Sequence, residues 1–315
     1  MSELRFTPEQ LKPDERKPGI SAVMRLRNSE DFLEDVIVGH APFFDEIVAV
    51  HNQCTDTTLE ILEAMQKRFP GKLAVFHYEP RVHPSGSEEH LLTPATSVHS
   101  LINYSNFALA RSTRRIVTLL DDDHIAISSQ VERLTRDIRQ LGSLGRQMWC
   151  FSGLNLDLSD TGEPGIRAAA PFSGNGDHGY FEVTPRTYFE HDRKFERLRY
   201  QELDRRYHGL AYWHMKYLKK GHGFSNYELE DHPRSRYRRH RQRFLDDRTT
   251  LPIEPFITTP RRGHSLTACL SLLPLPDRLR LKLARHATLH LQLQGADLIE
   301  LGRVLDRISR RRADL

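Results

Sequence analysis

An apolar run that ends in three consecutive aspartates constrains the fold of this chain more than any other stretch. Residues 115–120 are rich in β-branched and aliphatic side chains, which is typical of a strand buried on both faces of a parallel sheet. Asp121, Asp122 and Asp123 follow directly. Because ligands of open α/β sheets bind at the carboxyl ends of the strands, these carboxylates are expected at a ligand crevice outside the core.

The spacing of the three aspartates predicts a metal site. Along an extended backbone, Asp121 and Asp123 point to one side and Asp122 points to the other. Two carboxylates on the same side repel each other unless a cation lies between them, and Mg²⁺ or Mn²⁺, shared with substrate phosphates, is the natural ion. The alternative interpretation is a solvated acidic turn that caps the next helix.

Strand and helix patterns alternate along the first half of the chain. Strands are predicted over residues 20–24, 46–50, 73–77 and 115–120. Helices are predicted over residues 31–40, 58–69, 97–110 and 130–141, and a loop over 79–96. Four strands separated by helices indicate an α/β fold with a doubly wound, mostly parallel sheet.

Composition argues against several other classes of protein. No apolar run approaches the roughly 20 residues that a membrane-spanning helix needs, and residues 1–19 lack the apolar core of a secretory signal. The three cysteines, Cys54, Cys150 and Cys269, are widely spaced, as in a reducing compartment. We therefore expect a cytoplasmic protein. The net charge is +4, but basic residues are interleaved with nearly as many acids, and no nucleic-acid partner is predicted.

The order and spacing of four segments resemble the nucleotide-binding half of family 2 glycosyltransferases with the GT-A fold. The segments are residues 20–30, 45–58, 106–110 and 119–123, the last of which stands where that family has its Leu-Asp-x-Asp (DXD) motif. The resemblance covers residues 18–128. It implies a nucleotide-sugar donor, a divalent metal on Asp121 and Asp123, and transfer of the sugar to a glycan or a lipid-linked acceptor in polysaccharide biosynthesis.

The chain departs from the family pattern at several donor-binding positions. His51 replaces an aspartate, Gln53 and Cys54 replace a Gly-Ser pair, and Ser105 replaces a common basic residue. Arginine side chains at the end of the first strand are shaped to bind a pyrophosphate instead, although each is equally compatible with a solvated or salt-bridged role. The residues expected to bind the nucleotide sugar are Arg25, Arg27, Asn28, His51, Asn52 and Asp122.

The general base is less clearly indicated by the sequence. An inverting family 2 enzyme supplies it from a Glu-Asp pair, and no such pair precedes Gly221 at the expected spacing. The candidates, in order of preference, are Asp204, Glu202 and Asp177, the last of which lies in a glycine-containing loop. Residues 213–221 are interpreted as a helix that ends at the glycine. On it, His214 is a candidate metal ligand, and the alternative is a surface histidine.

We expect a GT-A catalytic domain over residues 18–245, divided into a nucleotide-sugar half (18–128) and an acceptor half (129–245), and a basic, helical C-terminal appendage over 246–315. Residues 298–308 have helical spacing, whereas Leu289, Leu291 and Leu293 alternate as in a strand. The appendage is expected either to pack on the catalytic domain or a second subunit, or to lie on an anionic membrane. The spread of leucines favours packing.

Two other functions remain open at the level of sequence. A nucleotidyltransferase acting on a sugar phosphate would use a similar sheet and acidic metal site, but residues 25–30 contain no glycine and so lack the usual glycine-rich loop. The missing Glu-Asp pair also allows a non-catalytic protein that only binds a sugar nucleotide.

Overall fold

The computed structural model describes residues 4–174, 176–192, 195–199, 202–258, 276–288 and 295–313. Its centre is a parallel sheet of four strands whose order is β4-β1-β2-β3. These strands are β1 (Lys17–Leu26), β2 (Glu46–His51), β3 (Leu73–His77) and β4 (Arg114–Leu119). All four strands predicted from sequence are confirmed.

Further strands extend the sheet beyond β4. They are β5 (His124–Ala126), β6 (Gln147–Leu158), β7 (Pro164–Arg167), β8 (Phe172–Ser173), β9 (Gly179–Glu182), β12 (Asp204–His214) and β13 (Thr250–Leu251). Strand β9 runs antiparallel between β4 and β6, while β12 pairs parallel with β6 and antiparallel with β5. The strands β10 (Phe189–Asp192) and β11 (Phe195–Leu198) form a separate hairpin. The mixed α/β fold with a mostly parallel sheet agrees with the prediction.

Helices cover both faces of the sheet, as expected for a doubly wound fold. They are α1 (Leu33–His40), α2 (Thr58–Arg68), α3 (Glu88–Leu92), α4 (Leu101–Arg111), α5 (Ser128–Leu141), α6 (Arg236–Asp246), α7 (Ile253–Thr258), α8 (Asp277–Thr288) and α9 (Gly295–Ala313). The middle of β1, residues 22–24, shows why a central strand is apolar on both faces. Ala22 and Met24 belong to the core that includes α1 and α5, whereas Val23 belongs to the core that includes α4, because side chains alternate along a strand.

The predicted helix over residues 213–221 is wrong. Residues 204–214 form strand β12, and short 3₁₀ turns follow at Lys216–Leu218 and Lys220–Gly223. The aromatic side chains of Tyr207, Tyr212 and Trp213 favour a strand, and this signal outweighs the apparent glycine helix end. The predicted loop over 79–96 also contains the short helix α3.

The described part of the C-terminal region packs on the rest of the chain. Leu281 of α8 and Leu301 and Val304 of α9 are buried. Arg285 donates to the carbonyl oxygen of Gly174 at 2.8 Å. Residues 289–294, which include the leucines with strand-like alternation, and Cys269 lie outside the described residues. None of the described helices combines the length and the apolar character needed to cross a membrane.

Polar contacts between α9 and the rest of the chain fix the position of this helix. Ser129 donates to Asp297 at 2.9 Å, and Arg307 forms an ion pair of 2.8 Å with Asp35 of α1. These contacts and the buried residues of α9 indicate that the helix belongs to the folded body.

Substitution on opposite faces of α9 tests this packing. Leu301→Ala should lower the free energy of unfolding by about 2–4 kcal/mol, because the side chain is 2% exposed and its removal leaves a cavity. Ile299→Ala is the matched control, since Ile299 is 61% exposed, and its effect should stay within about 0.5 kcal/mol. Denaturant unfolding measures both, and equal small effects would show that α9 is not packed in solution.

Candidate active site

A cleft of about 390 Å³ opens at the carboxyl ends of the strands, the expected edge of the sheet. Its wall combines apolar groups near the end of β1 with a dense set of titratable groups. The charged and imidazole side chains that line it are Arg25, Arg27, His83, Asp121, Asp122, Asp123, His124, His178, Glu196, His214, Lys216 and Lys219. Four carboxylates and several cations therefore share one crevice.

The three aspartates lie in a turn and not on a strand. Strand β4 ends at Leu119, and the amide of His124 donates to the carbonyl oxygen of Asp121 at 3.2 Å. The prediction that Asp122 turns away from its neighbours is therefore wrong, because alternation applies only to extended backbone. Asp122 and Asp123 both reach Lys219, whose Nζ lies 2.7 Å from one carboxylate and 3.2 Å from the other.

Strand pairing brings two histidines to the aspartates. Residues His124 of β5 and His214 of β12 stand opposite each other in the antiparallel ladder. His214 Nε2 lies 3.5 Å from Asp123 Oδ1, while His124 Nε2 lies 3.6 Å from Asp121 Oδ2 and 3.9 Å from Asp123 Oδ1. Two overlapping groups of ligand atoms result, each within 4.8 Å: Asp121, His124 and His178, and Asp123, His124 and His214.

Asn155 of β6 sets the tautomer of His214. Its amide nitrogen donates to the carbonyl oxygen of Ala170 at 2.7 Å, so its Oδ1 is the atom that faces His214 Nδ1 at 2.5 Å. Since Oδ1 only accepts, Nδ1 donates to it, and the other ring nitrogen, Nε2, faces Asp123. This arrangement is the usual orientation of a metal-binding histidine.

The ring of His124 is held by a stacked tyrosine. Tyr212 lies 3.6 Å from it between ring centroids at an interplanar angle of 15°, and its hydroxyl is 3.0 Å from that of Ser173. Gly153 of β6 leaves room for the tyrosine, because a Cβ at this position would overlap its ring. Burial lowers the pKa of His124 well below its ordinary value despite the neighbouring aspartates, so the imidazole is neutral and able to bind a metal.

The donor atoms fit a divalent cation. Asp123 Oδ1 and His124 Nε2 are both buried and have no hydrogen-bond partner among the described residues. Buried polar atoms are normally satisfied, and a pair of ligand-type atoms that converge without a partner suits a bound ion. Carboxylate oxygens and imidazole nitrogens form a donor set for Mn²⁺ and related divalent metals.

Lys219 provides the nearest positive charge. Burial alone would raise the pKa of Asp123, but Lys219 and His214 outweigh it and hold that pKa well below its ordinary value. Burial would also lower the pKa of Lys219, and Asp122 and Asp123 reverse that effect. The lysine therefore stays protonated and partly neutralises the carboxylates that a metal would share.

Four of the six residues predicted to bind the nucleotide sugar line the cleft: Arg25, Arg27, Asn52 and Asp122. Arg25 donates to Ser105 Oγ at 2.6 Å and to Glu196 at 3.1 Å. Arg27 is paired with Glu228.

Asn52, although it lines the cleft, is occupied in holding the loop after β3. Its amide nitrogen donates to the carbonyl oxygens of Tyr78 and Pro80, and its oxygen accepts from the amide of Val82. The other two predicted residues lie outside the cleft lining: the oxygen of Asn28 accepts from the amide of Thr55, and His51 stacks on His77.

The predicted base candidates lie outside the cleft lining. Asp204 begins β12 and His214 ends it, so about 30 Å separates them. Glu202 is exposed and paired with Arg186 at 3.2 Å. Asp177 is exposed on the loop before His178. Sequence distance from Gly221 did not reveal which end of a strand these residues would occupy.

Four lining residues with a candidate role, His124, His178, Glu196 and Lys219, were not singled out from the sequence. His124 could have been found, because it directly follows the aspartates. His178 lies in the glycine-containing loop that was noted without assigning this histidine a role. Glu196 and Lys219 carry no local signal, since they reach the cleft from segments about 75 and 100 residues further along the chain.

Comparison with known proteins gave matches only among solved structures; no family model and no curated protein matches the chain. Residues 1–349 of TarS from S. aureus share 19% identity over 44% of this chain and 35% of that chain, with a TM-score of 0.29. Glucosyl-3-phosphoglycerate synthase from Mycobacterium tuberculosis, in complex with Mn²⁺, UDP-glucose and phosphoglyceric acid, shares 18% identity over 50% of each chain, also with a TM-score of 0.29. The chain thus spans half or less of the length of these two structures.

Removal of the lysine should strengthen metal binding. In Lys219→Met, Asp122 and Asp123 lose the ammonium that competes with a divalent ion, and we expect Mn²⁺ to bind about tenfold more tightly in calorimetry without donor. Lys220→Met is the control, because Lys220 pairs with Glu30 and is largely exposed. Unchanged or weaker Mn²⁺ binding in the Lys219 variant, with the fold intact, would contradict this account.

Proposed function

We propose that this protein is a metal-dependent glycosyltransferase of the GT-A, family 2-like type that uses a nucleoside diphosphate sugar. The observation that carries the proposal is the convergence of Asp121, Asp123, His124 and His214 at the end of β4. Such a site beside the half-buried side chains of Arg25 and Lys219 suits a ligand that combines a divalent ion with a diphosphate. The sequence resemblance over residues 18–128 supports the same activity.

The donor diphosphate is placed between the metal ligands and the cationic side chains of Arg25 and Lys219. Arg25 and Lys219 are at present paired with carboxylates. When a diphosphate enters with its ion, these ion pairs would be replaced by pairs between the same cations and the diphosphate. The nucleoside is placed on the wall formed by Val82, Leu101 and Tyr104, at the ends of the first two strands. This wall offers apolar surface for a base. Asn52 is not proposed to bind the base, because its amide is already hydrogen-bonded to the loop after β3.

The metal is proposed to be Mn²⁺ in preference to Mg²⁺. Mg²⁺ demands a near-ideal octahedron and is usually bound through oxygen atoms, whereas Mn²⁺ takes the same carboxylate oxygens and belongs to the transition series whose divalent ions also bind imidazole nitrogen. When bound, the ion would neutralise the charge that develops on the departing diphosphate.

Glu196 is proposed as the group that acts on the acceptor. Among the described lining residues it is the one carboxylate besides the three aspartates. Its Oε1 accepts from Arg25 at 3.1 Å, and its Oε2 is buried without a hydrogen-bond partner among the described residues. If the reaction inverts the anomeric centre, Oε2 takes the proton of the attacking hydroxyl. Glu196→Gln should then retain donor binding but lose transfer, and full transfer activity would rule out this role.

The proposal extends to the acceptor, the pathway and the division of the chain into domains. The acceptor is proposed to be a glycan or a lipid-linked sugar, and the pathway polysaccharide biosynthesis in the cytoplasm. Residues 18–245 are proposed as the catalytic domain, with the nucleotide-sugar half ending at residue 128, and residues 246–315 as the C-terminal appendage.

Slow hydrolysis of the donor tests the proposed activity. Incubation with Mn²⁺ and a panel of nucleoside diphosphate sugars should release nucleoside diphosphate from one of them. Asp121→Asn and Asp123→Asn should abolish the release and the metal-dependent binding of the donor, because each removes a charged ligand. Asp160→Asn, on the exposed turn between β6 and β7, is the control and should behave as the wild type.

Other outcomes would point elsewhere. Release of pyrophosphate from a nucleoside triphosphate and a sugar phosphate would indicate a nucleotidyltransferase. Metal-dependent donor binding with no turnover in the presence of any acceptor would indicate a non-catalytic sugar-nucleotide binder. Equal donor binding by the wild type and both aspartate variants would contradict the proposed metal site.

A further inference from the structure

Helix α6 and its flanks form the most basic segment of the chain. Residues 234–248 contain seven arginines and one histidine against two aspartates. Some of these charges are neutralised: Arg234 pairs with Glu88 at 2.9 Å, Arg241 with Glu230 at 3.2 Å, and Arg248 with the buried Asp157 at 2.9 Å. The pairs at the two ends fasten the segment to the body of the protein.

Three arginines in the middle of α6 are left over. Arg238, Arg239 and Arg243 are exposed, and within the described part of the chain their side chains have no ion pair and no hydrogen bond. Burial, followed by the positive charges of Arg236 and Lys216, lowers the pKa of the neighbouring His240. Lys216 also lines the cleft, so α6 lies near the cleft rim.

Aromatic packing fixes α6 at this rim. The ring of Tyr237 stacks on Tyr227, which lines the cleft, with centroids 3.8 Å apart and an interplanar angle of 18°. The Tyr237 hydroxyl lies 3.5 Å from that of Ser85, another lining residue. Gly86, with φ of +83°, allows this close approach, because a Cβ there would lie 2.8 Å from the Tyr237 ring. The arginines are thus presented on a rigid element beside the proposed active site.

The chemistry of α6 distinguishes among anionic partners. Two large apolar side chains lie on α6. Phe244 is buried against Tyr217 and Phe224, whereas Leu245 is exposed. A helix that lies in a membrane interface needs a broad apolar face to insert, and α6 does not offer one. Guanidinium groups, in contrast, match the geometry of phosphate oxygens.

We propose that Arg238, Arg239 and Arg243 bind the acceptor, and that the acceptor is a glycan that carries phosphate groups. The inference rests on the proposed glycosyltransferase function, since only then is the partner at the cleft rim an acceptor. The arginines hold the anionic chain alongside α6 while its reacting hydroxyl enters the cleft. Affinity at such an exposed basic surface falls as salt concentration rises.

Binding of phosphorylated dextran, compared with the same dextran without phosphate, tests the proposal. The triple variant Arg238→Ala, Arg239→Ala, Arg243→Ala should bind phosphorylated dextran about tenfold more weakly than the wild type, or weaker still. A second triple variant, Lys67→Ala, Lys282→Ala, Arg303→Ala, removes the same charge from other exposed positions and should stay within about twofold of the wild type. The wild type and both triple variants should not bind the dextran without phosphate.

Parallel measurements separate this inference from the proposed function. Binding of nucleoside diphosphate with Mn²⁺ should be unchanged in both triple variants; its absence in the wild type would overturn the glycosyltransferase and leave only a polyanion site. Equal binding of phosphorylated dextran by wild type and α6 variant would overturn the inference. A larger effect of the α6 substitutions on binding to phosphatidylglycerol vesicles or to an RNA oligonucleotide would also overturn it, in favour of a membrane or a nucleic acid.

Discussion

Three carboxylates meet within one turn of chain at the end of β4, and their negative charge must be balanced at a position that ranges from half-buried at Asp121 to buried at Asp123. Charges removed from water without partners cost several kcal/mol each. Lys219 contacts Asp122 and Asp123 and supplies a positive charge, while the Nε2 atoms of the two histidines face Asp121 and Asp123. A site with this demand for positive charge is suited to a divalent ion, and the proposed function adds the diphosphate of the donor to that ion.

Two histidines beside these carboxylates, and the residues that hold them, lie on strands. His214 lies between His124 on one neighbouring strand and Asn155 on the other, so sheet hydrogen bonds fix its position. Tyr212 occupies the space that Gly153 leaves and stacks on His124. Groups placed on regular elements keep their geometry more accurately than groups on loops, which is what a metal site requires. At the cleft rim, the stacking of Tyr237 on Tyr227 fixes the position of α6 in the same way.

The sequence predicted the elements whose signal is local. The apolar run before Asp121 identified β4, and the strand-helix alternation identified the parallel sheet. The orientation of Asp122 was not predictable from alternation, because β4 ends at Leu119 and a turn begins. Contacts between distant segments were not predicted, for a different reason. Glu196 reaches the cleft only after β11 has paired with β10, and Lys219 only after β12 has paired with β5 and β6. No local sequence pattern encodes that approach. Asn52 was expected to bind the nucleotide sugar, but its amide nitrogen donates to carbonyl oxygens of the loop after β3.

The central claim is that one cleft holds the metal and the donor diphosphate together. A crystal structure grown with Mn²⁺ and a nucleoside diphosphate, with anomalous data collected at the manganese edge, tests it most directly. We expect an anomalous peak within about 2.5 Å of a carboxylate oxygen of Asp121 or Asp123 and of a histidine Nε2, with the diphosphate bridging to Arg25 or Lys219. A manganese peak remote from these side chains, or a nucleotide bound on another face of the sheet, would contradict the account.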